Sequence, residues 1–215
     1  MTDSRDIGGA SGEKVGGVVG SLPAFWKVLG GLLLGVLTLG LGVSGLGLIP
    51  VPNSTGNATV MHVPAVLAGV FGGPLVGVFV GLVFGGFSWI DYSAPIFRDP
   101  VVALIPRLLI GPVAWGVFVF LRRGGVARAA ALAGVAGSAT NSVGVLSLAV
   151  GLGYFPLRYV WPVLPQAFVE AGLAGLAAFL AVQGYLLLVS GRTAEATTPE
   201  APDPTDEEPP AADRR

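Results

Sequence analysis

The sequence predicts an all-α, polytopic membrane protein with six transmembrane helices and both termini in the cytoplasm. Three observations predict it. Of the 215 residues, 53% are hydrophobic and only 12% charged, whereas a soluble domain carries about 25% charge. The charges also avoid the middle of the chain: residues 24–190 hold ten, and the short segment 191–215 holds ten more. Finally, most basic residues of the middle fall at joints between apolar runs, where the positive-inside rule makes them count crossings. Glycine (34) and proline (17) approach the share of a low-complexity chain. Leu, Val and Phe interleave with them throughout, so that class is excluded.

Residues 1–23 are glycine-rich and mixed in charge, without the apolar core of a cleaved signal peptide, and read as a flexible cytoplasmic N-terminus. A helix needs roughly 20 apolar residues to cross a bilayer, and residues 28–49 supply the first. A polar, uncharged segment at 50–57 follows. The next apolar stretch, 60–90, is too long for one ordinary span and is interrupted by Gly72, Gly73 and Pro74. Further runs lie at 100–121, 126–153 and 160–189. Splitting 60–90 at a tight Gly-Gly-Pro turn places Lys27, Arg122, Arg123, Arg128 and Arg192 on the cytoplasmic side. It leaves Asp91, Arg98, Asp99 and Arg158 outside; an unsplit stretch would put the triple-arginine joint outside. The second helix is then short, on the order of 20 Å at 1.5 Å per residue, as expected of a helix that is partly buried or capped by the outer loop. Trp26 at the inner end, and Trp89, Tyr92, Tyr154, Tyr159 and Trp161 near the outer ends, suit interfacial aromatic belts. The six-helix domain spans 24–190, and 191–215, rich in Pro and Glu, is expected to be a disordered cytoplasmic tail.

Small residues recur at helical spacing. Gly73, Gly77, Gly81 and Gly85 line one face of the third helix, Gly31 and Gly35 of the first, and Ala133, Gly137 and Asn141 of the fifth. Such stripes let helices approach closely in lipid, either inside the bundle or against another membrane subunit.

An ionisable side chain inside a span is expensive and marks a functional site by default. Arg107, about seven residues into the fourth helix, and Glu170, about six past Leu164, share a depth roughly 10 Å below the outer surface. They form either a structural pair or the lining of a solute pocket. Pro106 frees a backbone carbonyl near this point. Asn141, in the run Gly137 to Ser142, brings hydroxyl and amide groups to mid-membrane, and Gln166 lies one turn above Glu170. His62 stands at the start of the second helix beside Pro64, near the outer surface, where helix capping is expected. The outer segment 91–99 has two acids, one base and two aromatics, as either a gate or a solvated loop. Sequons at Asn53 and Asn57 are short patterns without weight.

The chemistry excluded is as informative. With no cysteine there is no thiolate nucleophile, and one histidine without ligand partners gives no metal site. A sequence pI near 5.8 without a basic face excludes nucleic acid. There is no P-loop, no second buried acid near Glu170 and no histidine beside a nucleophile motif, so neither an enzyme nor a cofactor is expected.

The run Met61 to Gly69, followed by Gly73 to Gly81, Pro106 to Gly111, Gly137 to Asn141 and Pro165 to Glu170, resembles the substrate-specific (S) components of energy-coupling factor (ECF) transporters. These segments span 24–190 in order. The resemblance implies a six-helix protein of the cell membrane that binds a vitamin or similar micronutrient from outside. It also implies partners, a transmembrane coupling protein and two ABC ATPases, with the solute released inside as the subunit topples in the membrane. In that family a small-residue motif of the first helix, usually alanines, docks on the coupling protein; Gly31 and Gly35 look like its counterpart. The family's solute pocket lies in the outer half, which assigns Arg107, Glu170, Asn141, Gln166 and His62 to substrate binding. Pantothenate, riboflavin, folate-like compounds and thiamin stay open, and Arg107 tilts the choice toward an anion such as pantothenate. Two other readings stand beside this one: a stand-alone carrier using Glu170 as its proton site, and a non-transporting scaffold bolted by the Arg-Glu pair.

Overall fold

The computed structural model describes residues 23–50, 57–91 and 94–197. The expectations for the first 22 residues, for Asn53 and Tyr92, and for 198–215 lie outside these. Among the described residues, five helices are long and apolar enough to cross a membrane. They are α1 (Ala24–Val43), α3 (Pro74–Asp91), α4 (Pro100–Leu121), α5 (Val126–Gly151) and α6 (Leu164–Thr197). Between α1 and α3 lies α2, Val63–Leu67, which continues as a π-helical turn over Ala68–Gly72. Those ten residues rise only about 15 Å, half the bilayer core. Seven residues from His62 to Val70, all but Val63 and Leu67, are buried by the surrounding helices. Their backbone never depends on lipid.

Stretch 60–90 is thus split where glycine and proline indicated. Gly73 has φ +92°, a left-handed conformation glycine adopts freely, and Pro74 opens α3. The first helix needs correction: it ends at Val43, not near 49. Gly45 turns the chain with φ +74°, and Leu48–Pro50 (β1) pairs antiparallel with Asn57–Thr59 (β2), Leu48 facing Thr59. Main-chain bonding decides this. The Gly47 carbonyl accepts both the Thr59 hydroxyl at 3.1 Å and the Val60 N–H at 3.0 Å, a closed loop that a continued helix could not make. At the other end α6 runs to Thr197, so a tail beginning at 191 starts too early; Ala194, Glu195 and Ala196 are good helix formers.

The glycine stripes are where helices meet backbone to backbone. A Cβ on Gly77 would lie 2.6 Å from Gly111 Cα, and one on Gly69 or Gly81 would collide with the main-chain carbonyl of Gly111 or Arg107 respectively. Helices α2, α3 and α4 therefore close on a glycine node, with Val66, Val80, Phe84, Ile110, Ala114 and Phe118 buried around it. On α5, Gly137 admits Val66 and Gly144 admits Pro106. Gly31 and Gly35 also face inward: Cβ atoms there would meet Val76 Cγ1 at 2.6 Å and the Phe79 ring at 3.5 Å. In this chain that stripe packs against α3.

Substituting Ala for Gly81 is expected to force α3 and α4 apart and to lower stability by about 1–3 kcal/mol. Substituting Ala for Gly30, which has open space around it inside α1, should not lower stability and is expected to raise it by up to about 1 kcal/mol. Thermal unfolding of the two variants in detergent checks this contrast.

Candidate functional site

Hairpin β1–β2, the turn Pro95–Arg98 (3-10) and the 152–163 connection gather at one end of the bundle. Two hydrogen bonds tie them. The Thr59 N–H donates to Glu170 Oε1 at 2.7 Å, joining the hairpin to α6. The Tyr154 hydroxyl donates to Asp99 Oδ2 at 2.8 Å, joining the end of α5 to the start of α4. Asp99 also caps α4 by accepting from the Val101 N–H at 2.8 Å. Beneath these segments is a cavity of about 60 Å³, its polar wall made by Thr59, Ser88, Arg107, Asn141, Ser142, Gln166 and Glu170. Phe84, Phe87, Phe97 and Met61 complete it with Leu48, Val145, Leu146 and Val163.

Arg107 is 2% exposed. Pro106 has no N–H, so the carbonyl four residues before it, Val102, has no helical donor. Arg107 Nη1 fills that vacancy, donating to the Val102 carbonyl at 2.7 Å. Its guanidinium carbon lies 4.4 Å from the Phe97 ring centroid and 5.2 Å from that of Phe84, within cation-π range. Nε meets no acceptor. Glu170, 4% exposed, is better supplied: Oε1 takes the Gln166 side-chain N–H at 2.9 Å besides that of Thr59, and Oε2 takes the Ser142 hydroxyl at 3.5 Å. Arg107 and Glu170 line one cavity yet make no ion pair with each other. Leaving a buried cation without its counter-charge is costly, and both groups remain open to a third party.

Asn141 lines the same cavity, its Oδ1 buried and unpartnered. Four of the five residues expected to bind a solute, Arg107, Glu170, Asn141 and Gln166, therefore converge. His62 does not join them on the wall. It is fully buried, makes no side-chain cap bond to α2, and neither ring nitrogen has a hydrogen-bond partner. The expectation of a shallow capping residue is corrected, because the short helix it opens packs among the long helices of the bundle. Ser142, the last residue of the polar run singled out with Asn141, lines the cavity as well; residues that sequence reasoning missed are Thr59, Ser88 and the aromatic wall. Of these, Phe97 alone carried a signal, as part of the outer segment 91–99.

The fold and site define a multi-span helical membrane protein that encloses a polar cavity at one end of its bundle. A family model for the substrate-specific component of ECF transporters matches residues 14–182, and the chain belongs to that family. It is accordingly a multi-pass protein of the plasma membrane and a substrate-binding transport subunit rather than an enzyme, working with an ECF module of coupling protein and ATPases. A search of curated proteins found no match.

Bonding to Asp99, before partial burial and the carboxylate's charge, raises the Tyr154 pKa above its ordinary value of 10.0. The bond needs the protonated phenol, so it is intact below the ordinary tyrosine range and is lost as pH climbs through the raised value. Asp99→Asn keeps a capping oxygen but removes the charge. It should bring Tyr154 ionisation back toward the ordinary range, read as the absorbance titration of each protein minus that of its Tyr154→Phe counterpart.

Proposed function

We propose that the chain captures a vitamin at the outer face of the plasma membrane and delivers it inward through a coupling protein powered by two ABC ATPases. Both termini lie in the cytoplasm, and the end bearing the hairpin faces outward. The observation that carries this reading is the unpaired Arg107 opposite Glu170 in one cavity. A structural bolt would close that gap. Pantothenate is the first candidate, because an arginine with free donors suits an anion.

About 60 Å³ holds several water molecules at about 10–15 Å³ each. That is room for one functional group of a vitamin. The remainder extends past Thr59, Gln166 and Glu170 into a groove of about 350 Å³ on their other side, lined by Ile49, Val60, Pro165 and Val169. Opening this wall means releasing the Thr59–Glu170 hydrogen bond.

Uptake of labelled vitamins by cells expressing the chain with and without its module checks the proposal. Accumulation is expected only with intact ATPases, and Arg107→Ala should reduce it at least tenfold. Accumulation that ignores the ATPases and follows a proton gradient would establish a stand-alone carrier. A purified chain that binds no vitamin would be a scaffold.

A further inference from the structure

Resting on the proposed function, and going further into the same site, the geometry points to a carboxylate of the solute as the group that Arg107 holds, with Phe97 determining that specificity. The guanidinium has five N–H donors in a planar fork. One is committed to the Val102 carbonyl, and two phenyl rings lie against the group. What stays open is the in-plane side carrying Nε and Nη2, the geometry that a planar carboxylate meets with two parallel hydrogen bonds. A phosphate or sulfate can also meet the fork with two hydrogen bonds, but it needs donors for its remaining oxygens, and the neighbouring groups Asn141 Oδ1 and Glu170 Oε2 are acceptors.

The two charged residues divide their roles. Glu170 already accepts two short protein hydrogen bonds and one long one, so its charge is largely met from within. Arg107 is met by one carbonyl and two ring faces, so the unmet demand in the cavity is for negative charge. Beside it the buried Asn141 Oδ1 and the long-bonded Glu170 Oε2 are acceptors. A matching solute therefore carries a hydrogen-bond donor, an amide N–H or a hydroxyl, close to its carboxylate.

Phe97 sits on the outer segment, between buried Ile96 and the α4 cap Asp99. Its ring is the nearer of the two and excludes water from the guanidinium. A dry guanidinium attracts an anion more strongly and is less screened by salt. Phe97 is thus a positioning and specificity residue that acts through Arg107.

The test uses the full-length purified protein and a mixture pairing each acid with its neutral counterpart, pantothenate with pantothenol and nicotinate with nicotinamide, together with biotin, riboflavin, thiamin and pyridoxal 5′-phosphate, a phosphorylated vitamin without a carboxylate. Retained solutes are identified by native mass spectrometry and titrated. The expected result is retention of a carboxylate vitamin and of neither its neutral counterpart nor the phosphorylated compound. Arg107→Lys, which keeps charge but loses the fork, should weaken binding about 100-fold. Phe97→Ala should weaken it about tenfold and make it salt-sensitive, while Phe97→Leu, which also excludes water, should stay salt-insensitive. Retention of riboflavin, thiamin, the phosphorylated compound or a neutral counterpart in place of a carboxylate vitamin overturns the inference and leaves the proposed function standing. So does full affinity in Arg107→Lys. Retention of nothing overturns both.

Discussion

A buried cation governs this structure. Arg107 is held inside an apolar bundle without an acidic partner, and an isolated charge in low dielectric is tolerated only when other groups replace its water. Here the replacements are a carbonyl released by Pro106 and the faces of Phe97 and Phe84. Each depends on helices lying close enough to present them. The approach of α3 to α4 is set by Gly81, which rests on the main-chain carbonyl of Arg107 itself. The glycine stripe and the polar cavity are two parts of one arrangement, since small residues bring the backbones together and the arginine side chain is directed into the space beyond.

The opposite wall works differently. Glu170 is tied to the hairpin by a main-chain N–H and to its own helix by Gln166, so the acid doubles as an anchor for the segment that roofs the site. Hairpin β1–β2 has only three residues in each strand, too few for independent stability. Its place over the cavity therefore leans on the bond to Glu170 and on the Gly47 carbonyl, which takes two donors. Loss of the single contact at Glu170 changes the roof and the polar wall together, a coupling suited to a site that must both enclose and admit a solute.

Much of this was legible in the sequence, for physical reasons. Long apolar runs and arginine-rich joints gave the helices, and Gly72, Gly73 and Pro74 gave the break before α3, because glycine and proline act locally on the backbone. Arg107, Glu170, Asn141 and Gln166 stood out since polar groups are costly in a span wherever they point. The hairpin was not legible: Leu48 and Ile49 continue the apolar run of α1, and only pairing with Ala58 and Thr59 makes them a strand. The direction of Gly31 and Gly35 was hidden for a related reason. Spacing places two residues on one face of a helix but does not say which neighbour that face meets. His62 looked shallow because depth was counted along the chain, whereas its burial comes from the long helices packed around α2.

Arg107 and Glu170 line one cavity without bonding to each other, and the proposed function sets a solute between them. A structure determined with the captured solute in place tests it most directly. Density for the solute bridging the guanidinium and the carboxylate, beneath the Leu48–Thr59 pairing, is the predicted result. A collapsed cavity in which the two side chains bond to each other, with the solute bound elsewhere, would contradict the account.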